Sequence, residues 1–159
     1  MPTEHELIIR PADTDAELEL ILEMCDSWIK EDISYGIIPD KIDELKRQDC
    51  FLAYYRGEAA GYMVCEYGVT KKKNSFRDEG DRFYEITELY VLPEFRSRAI
   101  GRAMFGLAEE KAKKEGIEHI FITTSTKDYR RVLEFYVDRC GMSFWSATLV
   151  KKLDCGMVY

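Results

Sequence analysis

An arginine-rich turn at the start of a helix constrains this chain more than any other feature. It runs from Arg96 to Ala103, follows the apolar, β-rich run Ile86–Val91, and opens a stripe of apolar residues at helical spacing. Its three arginines stand at a helix N-terminus, which already carries about half a positive charge, so an anion is needed to relieve the crowding. The free N–H groups of a first helical turn are themselves donors to anions. The sequence therefore predicts a phosphate-binding turn between a strand and a helix.

Two common phosphate motifs are absent from the sequence. The chain has no Gly-x-x-x-x-Gly-Lys-Ser/Thr loop and no Gly-x-Gly-x-x-Gly fingerprint. The alternative interpretation of the turn is an ordinary strand-to-helix connection with solvated arginines. Because charge, turn and helix start all agree with a ligand, we favour the phosphate site.

The composition narrows the classes of partner. The chain has 159 residues and a net charge of −7, whereas general nucleic-acid binding needs a basic surface. No apolar run is long enough to span a bilayer, and residues 1–6 lack a secretory signal. The five cysteines are odd in number and form no Cys-x-x-Cys pair, which is typical of reduced thiols. We therefore predict a cytoplasmic protein without nucleic-acid or membrane partners and, since it has only two histidines, without a metal.

Periodicity and turn signals predict one mixed domain of α/β or α+β type over residues 1–159. The predicted strands are Leu7–Pro11, Cys50–Tyr55, Ala59–Tyr67, Phe83–Leu92, His119–Thr123 and Phe144–Leu153. The predicted helices follow a Thr14–Glu17 capping box and cover Asp40–Arg47, Ile100 to a stop at Gly116, and Tyr129–Arg139. The strands around the long helix are expected to be parallel, joined by a right-handed crossover, with ligands beyond their C-terminal ends.

Two motifs within this order resemble the GCN5-related N-acetyltransferase superfamily. The family's acyl-CoA pyrophosphate motif, Gln/Arg-x-x-Gly-x-Gly/Ala, is matched by Arg96–Gly101 within the frame Leu89–Arg96. A second family motif is matched by the Phe-Tyr segment Phe135–Met142. The resemblance covers nearly the whole chain, because the order of elements also agrees. It implies the acyl-CoA N-acyltransferase fold, a mostly antiparallel central sheet with one parallel β-α-β step and flanking helices.

The chain departs from the family pattern at several positions. Ala99 replaces the first motif glycine, Ser97 stands where glycine is common, and Tyr129 stands where asparagine is frequent. The spacing from Tyr136 to Gly141 is one residue longer than the usual form. A helical φ would accommodate Ala99, whereas a positive φ would strain it.

The resemblance implies acetyl-CoA as the acyl donor. The backbone amides of Arg98–Ala103 are expected to bind its diphosphate, with added charge from the three arginines. The main chain of the central strand is expected to pair with the pantetheine amides, as an added strand would. The expected cofactor-binding residues are Leu89, Tyr90, Val91, Arg96, Ser97, Arg98, Ala99, Ile100, Gly101, Arg102 and Ala103.

Acetyl transfer to an amine needs a base or a water path, because amines with a pKa near ~10 are mostly protonated at neutral pH. Glu85 and Glu88 lie three residues apart on the central strand, so alternation predicts opposite faces. We prefer Glu88, which adjoins the expected cofactor-pairing segment; the alternative is an edge-facing or salt-bridged glutamate. The resemblance implies Tyr136 as the acid for the departing thiolate, and the alternative is a core tyrosine bonded to a backbone carbonyl.

The acceptor is expected to lie against the first helix pair and its loop. The candidate residues there are Trp28, Asp32 and Tyr35, near further carboxylates at Glu31, Asp40, Asp43 and Glu44. Carboxylates with aromatics suit a cationic amine, although they equally suit a solvated helix face. We predict an N-acetyltransferase that acts on a small amine by direct transfer in a ternary complex. The alternatives are acetylation of protein N-termini or lysines, and a non-catalytic acyl-CoA sensor or interaction module; a homodimer is left open.

Overall fold

A five-stranded sheet forms the centre of the molecule. The computed structural model describes residues 6–153, so the N-terminal residues and Cys155 lie outside the described part. The strands are β1 (Leu7–Pro11), β2 (Asp49–Tyr55), β3 (Glu58–Val69), β4 (Arg82–Val91) and β5 (Ile120–Ile122). They follow one another across the sheet in chain order. Neighbours are antiparallel except β4 and β5, which are parallel, and this confirms the predicted mixed sheet with one parallel step.

The helices are α1 (Asp15–Glu31), α2 (Ile42–Leu45), α3 (Ile100–Lys114) and α4 (Tyr129–Leu133). The predicted capping box is confirmed: the Glu17 N–H donates to Thr14 Oγ1 at 3.2 Å, and the Thr14 N–H donates to Glu17 Oε2 at 3.1 Å. Beyond α3, Gly116 has a φ of +68°, the left-handed conformation expected of a helix stop. After α4 the chain continues as a π-helical turn over Glu134–Arg139 instead of the predicted regular helix.

Helices cover both faces of the sheet. On one, here called the α1 face, Leu18, Ile21 and Cys25 of α1 pack on Leu52, Tyr62, Val64 and Tyr90. On the opposite α3 face, Ile100, Met104, Phe105 and Ala108 pack on Met63, Cys65, Tyr84 and Ile86. Complete burial of one such aliphatic side chain stabilises the fold by about 1.5–3 kcal/mol. The two faces are therefore separate apolar layers, and a residue's function depends on which face it occupies.

A β-bulge interrupts the pairing of β4 with β3. Val64 and Cys65 of β3 are consecutive, but their partners in β4 are Glu88 and Ile86, so Thr87 is an extra residue. Its Oγ1 donates to the Val64 carbonyl at 3.1 Å. An extra residue shifts the alternation of side chains by one position. The side chains after Thr87 in β4 therefore face the opposite side from the one that unbroken alternation would give them.

This bulge corrects one prediction from the sequence. Ile86 belongs to the α3 face and Glu85 lies opposite Glu66, so Glu85 faces α1. Glu88 lies opposite Val64 and also faces α1. The prediction of opposite faces is wrong, because it assumed unbroken alternation.

The predicted last strand, Phe144–Leu153, is also wrong. This segment has no strand structure, and Leu149 and Val150 are 92% and 93% exposed. It touches the sheet through Trp145, whose ring centroid is 5.7 Å from that of Phe121. A β-rich pattern forms a strand only where a neighbour accepts its hydrogen bonds, and no such partner is found within residues 6–153.

The described part of the chain contains no helix long and apolar enough to cross a membrane. Within the same residues, no group of three or more His, Cys, Asp and Glu side chains could hold a metal ion. The four cysteines of residues 6–153, Cys25, Cys50, Cys65 and Cys140, are buried free thiols.

Candidate active site

The turn between β4 and α3 has an unusual backbone. A short 3-10 turn over Pro93–Phe95 leads into Ser97 and Ala99, whose φ values are +62° and +59°. Left-handed residues alternating with ordinary ones turn successive N–H groups towards one side, which makes an anion-binding concavity. The first amides of α3 have no partner inside the helix. The turn therefore fits a diphosphate, although Ala99 adopts the positive φ that strains an alanine.

The three arginines of this turn lie in different surroundings. Arg96 donates to both carboxylate oxygens of Glu31, from Nη1 at 2.9 Å and from Nη2 at 2.6 Å. Its Nε donates to the Val91 carbonyl at 2.9 Å. Tyr90 donates its hydroxyl to the same carboxylate. Arg96 thus ties the end of α1 to the turn, and the prediction that its charge reaches a diphosphate stays a prediction.

The pKa of Glu31 reflects this arrangement. Burial opposes ionisation of the carboxyl, but the hydrogen bonds from Arg96 and Tyr90 outweigh it and hold the pKa below its ordinary value. Glu31 therefore stays charged and keeps the ion pair at neutral pH.

Arg98 and Arg102 are freer. Arg98 is exposed and lies 4.9 Å from the centroid of the Tyr55 ring, and it forms no ion pair within residues 6–153. Arg102 is 40% exposed, and its Nη1 lies 3.5 Å from Glu109 Oε2, the limit of a hydrogen bond. These two side chains supply the mobile positive charge near the turn.

The edge of β4 that faces β5 is open near this turn. β5 pairs with β4 only over Tyr84–Ile86, so the rest of β4 has no strand on that side within the described residues. The Leu92 N–H donates to the Ala60 carbonyl at 2.9 Å and therefore points to β3. Because backbone polar groups alternate along a strand, those of Leu89 and Val91 point to the open edge. The N–H and C=O of Leu89 and the N–H of Val91 are thus available there, whereas the Val91 carbonyl already accepts a hydrogen bond from Arg96.

Glu88 lies on the α1 face beside this edge. Its Oε2 accepts a hydrogen bond of 2.5 Å from the hydroxyl of Tyr62, which is fully buried on β3. Burial raises the pKa of Glu88, the Tyr62 hydrogen bond lowers it, and the charge of Asp40 raises it again. The net effect is a raised pKa, which suits a base that must take a proton from an ammonium group.

Glu85 lies further from the turn on the same face. Burial and the neighbouring charge of Glu66 raise its pKa, while Arg77 lowers it. The Arg77 guanidinium lies 3.9 Å from the ring centroids of both Phe83 and Phe121. Glu85 thus has a fixed cation nearby, whereas Glu88 is held by a neutral hydroxyl, which favours Glu88 as the base.

Tyr136 lies on the opposite, α3 face. Its ring centroid is 6.3 Å from that of Phe105 and 4.9 Å from that of Phe135. Burial raises its pKa, with smaller contributions from Cys140 and Cys65, so the phenol keeps its proton at neutral pH. No hydrogen bond to its hydroxyl is found within residues 6–153, and the alternative of a carbonyl-bonded core tyrosine has no support there.

The three predicted acceptor residues lie in two places. Trp28 stacks on Tyr90, with centroids 5.2 Å apart and planes 11° from parallel. Asp32 is paired with Lys127, whose Nζ lies 2.6 Å from Asp32 Oδ1. The same Nζ lies 5.2 Å from the centroid of Tyr35, which is 63% exposed. Asp32 is therefore already paired with a cation, whereas Glu85, Glu88 and Asp40 form no ion pair within residues 6–153.

Sequence reasoning missed two partners. Tyr62 is the hydrogen-bond donor to Glu88, and Glu31 holds Arg96. Alternation alone marks Tyr62 as a core residue, because its partner becomes visible only with the register of β3 on β4. The Glu31–Arg96 pair joins residues 65 positions apart, and no local pattern signals it.

Comparison with known proteins agrees with this geometry. The model of the acetyltransferase (GNAT) family matches residues 16–142. An uncharacterised N-acetyltransferase of Chlorobaculum tepidum is 31% identical over 77 residues, which are 48% of this chain and 43% of that protein. The match thus spans less than half the length of that relative.

Solved structures share the fold at low sequence identity. An aminoglycoside acetyltransferase from an uncultured soil metagenomic sample is 16% identical with a TM-score of 0.67, over 95% of this chain and 99% of that one. A ribosomal-protein-alanine N-acetyltransferase of Brucella melitensis is 14% identical with a TM-score of 0.68, over 93% and 100%. A predicted acetyltransferase of Clostridium acetobutylicum, determined with acetyl-CoA, is 16% identical with a TM-score of 0.65, over 92% and 96%. With the family model covering most of its length, the chain belongs to the GNAT family of acetyltransferases.

Proposed function

We propose that this chain transfers an acetyl group from acetyl-CoA to a primary amine of a small, cationic molecule, by direct transfer in a ternary complex. One observation carries the proposal: the half-buried carboxylate of Glu88 lies beside the open edge of β4, and the same strand leads into the anion-binding turn. One segment of the chain thus carries, in order, the proposed base, the edge that pairs with the cofactor and the turn that binds its phosphates.

The binding of the donor is assigned to main-chain groups. The amides of Arg98–Ala103 hold the diphosphate, with charge from Arg98 and Arg102. The polar groups of Leu89 and the N–H of Val91 pair with the pantetheine amides at the open edge. Acetyl-CoA, when bound, would supply the acetyl thioester that the amine attacks.

The acid and the base lie on opposite faces. On the α1 face, Glu88 accepts the proton that the ammonium group loses before it attacks. On the α3 face, the Tyr136 hydroxyl donates a proton to the departing sulfur. This division keeps the two proton transfers apart, so neither group neutralises the other.

The carboxylates of the α1 face support a cationic acceptor. Glu85, Glu88 and Asp40 are partly buried there, and burial raises the pKa of each. A cationic substrate would offset their mutual repulsion. The name of one structural neighbour gives an aminoglycoside as its substrate, and the name of another gives alanine of a ribosomal protein.

An acetyl-CoA turnover screen tests the proposal. The acceptors are polyamines, aminoglycosides, amino acids and short peptides with free N-termini, and release of free thiol is measured. Turnover with a small polycation supports the proposal, and turnover with peptides alone supports the protein-acetylating alternative. Binding of CoA without turnover of any amine would support the sensor alternative and refute the enzyme.

Glu88→Gln tests the base within that screen. An amide cannot accept the proton, so we expect loss of the acidic limb of the pH–rate profile and a fall in kcat of about 10²–10⁴-fold. The control is Glu66→Gln, which removes an exposed carboxylate opposite Glu85 without touching Glu88. An unchanged profile in the Glu88 variant would assign proton removal to water.

A further inference from the structure

The hydroxyl of Tyr62 donates a hydrogen bond to Glu88, the candidate base. Tyr62 lies on β3 with 0% exposure, and its ring centroid is 6.1 Å from that of Tyr90 on the next strand. Its oxygen lies 2.5 Å from Glu88 Oε2. Within residues 6–153 no other side chain donates a hydrogen bond to this carboxylate. One oxygen of Glu88 is therefore fixed, and the other remains available to a substrate.

We propose that Tyr62 is a positioning residue, whose hydroxyl holds the Glu88 carboxylate at the open edge of β4 in the orientation and charge state needed for proton transfer. The inference rests on the proposed function, in which Glu88 is the base. Tyr62 itself touches neither substrate nor the reacting atoms.

The direction of the hydrogen bond follows from the surroundings. Burial and the adjacent charge of Glu88 raise the pKa of Tyr62 far above its ordinary value, so Tyr62 is the donor at every working pH. A hydrogen bond given to a carboxylate stabilises its charged form. Without Tyr62, burial and the charge of Asp40 would act on Glu88 unopposed and favour its protonated form.

Besides Tyr62 of β3, the titratable groups around Glu88 come from α1, β2, β4 and the segment before α2. Cys50 of β2 is buried on the same face, and burial is the main reason that the pKa of its thiol is raised to about 12, so it stays protonated. Cys25 of α1 interacts with the Tyr62 hydroxyl, and burial followed by the charge of Glu88 raises the pKa of its thiol, which therefore stays protonated. Asp40 approaches from the segment that precedes α2. On β4 itself, Tyr90 directs its hydroxyl away from Glu88 to Glu31. The charge state of Glu88 is therefore set by burial, Tyr62 and Asp40.

A merely structural role is the competing explanation for a buried tyrosine. Tyr84 provides the matched control, since it is also 0% exposed and its hydroxyl donates to Asp49 Oδ2 at 2.9 Å. It lies on the α3 face and does not approach Glu88. Tyr62→Phe and Tyr84→Phe each remove one buried hydroxyl and keep the ring.

The experiment compares the two variants with wild type and with Glu88→Gln in the presence of acetyl-CoA and the acceptor found in the turnover screen. We expect Tyr62→Phe to move the acidic limb of kcat/KM upward by about one pH unit, a tenfold loss of rate on that limb. The rate on the plateau should change much less. Tyr84→Phe should leave the limb in place, even if it lowers stability equally.

A direct titration keeps the inference independent of turnover. The pKa of Glu88 is read from carboxyl ¹³C chemical shifts, with the signal assigned by its absence in Glu88→Gln. Tyr62→Phe is expected to raise this pKa, and an unchanged value would overturn the inference. If the pKa rises but Glu88→Gln keeps a wild-type pH–rate profile, then Glu88 is not the base, and both the proposed mechanism and the positioning role are refuted. If Glu88→Gln loses the limb and Tyr62→Phe leaves it unmoved, only the role of Tyr62 is refuted.

Discussion

Replacing Ala99 with glycine is expected to stabilise the protein. Ala99 has a φ of +59°, and its position is the N-cap of α3. The left-handed conformation costs an L-residue about 1–2 kcal/mol, because Cβ crowds the following carbonyl oxygen. Glycine removes this cost, but it also raises the conformational entropy of the unfolded chain, which destabilises the folded protein by about 0.5–1 kcal/mol.

The net gain is therefore about 0–1.5 kcal/mol, centred at ~0.8 kcal/mol. For a chain of this length the central value corresponds to a rise in Tm of about 2–3 °C. Equilibrium unfolding in urea, followed by circular dichroism and tryptophan fluorescence, measures the free energy directly. The affinity for CoA should be at least maintained, since glycine keeps the same backbone amides in place.

Ala103→Gly is the matched control. Ala103 lies inside α3 with helical geometry, where glycine is expected to cost about 0.5–1 kcal/mol. The change from alanine to glycine should thus raise the free energy of unfolding at position 99 and lower it at position 103. If Ala99→Gly destabilises the protein as Ala103→Gly does, the left-handed conformation of the turn, and with it the anion-binding concavity, is refuted.

Three further predictions concern the same site. Gly101→Glu should abolish CoA binding measured by calorimetry, because even a Cβ there would lie 3.2 Å from the Phe135 ring and the added charge would repel a diphosphate; Lys113→Glu, far along α3, should bind normally. Tyr136→Phe should lower kcat more than KM, and equal kinetics would exclude it as the acid. Glu31→Gln should cost about 1–2 kcal/mol, because Arg96 loses its charged partner. The stabilisation by Glu31 is present above its unfolded-state pKa and lost as pH falls through its lowered folded-state pKa, so the variant should show a flatter acid side in the pH dependence of Tm.

Local signals in the sequence predicted most of the framework. The Thr14 capping box, the apolar stripe of α3 and the Gly116 stop each depend on residues within a few positions of one another. The phosphate-binding turn was predicted in the same way, because charge and helix start occur together in one short segment. Such features are readable because their physical cause lies entirely within the segment.

Features that depend on two distant segments escaped prediction. The bulge at Thr87 has no signature in composition, and it changed the face assigned to Glu85. The partner of Glu88 depends on the register between β3 and β4, which no single strand reveals. The strand predicted over Phe144–Leu153 is absent because the segment has a β-rich pattern but no neighbouring strand within residues 6–153.

Thr87 is one residue of β4 that has no partner in β3. Because of it, residues on either side of Thr87 that are an odd number of positions apart share a face, which is why Glu85 and Glu88 both face α1. Exchange of Thr87 for another small residue should be tolerated, and its deletion would leave Glu88 facing α1, because Ile86 and Glu88 already pair with the consecutive residues Cys65 and Val64. An alignment gap of one position at Thr87 is therefore compatible with the same site, whereas a gap at any other position of β4 would exchange the faces of the residues on one side of it.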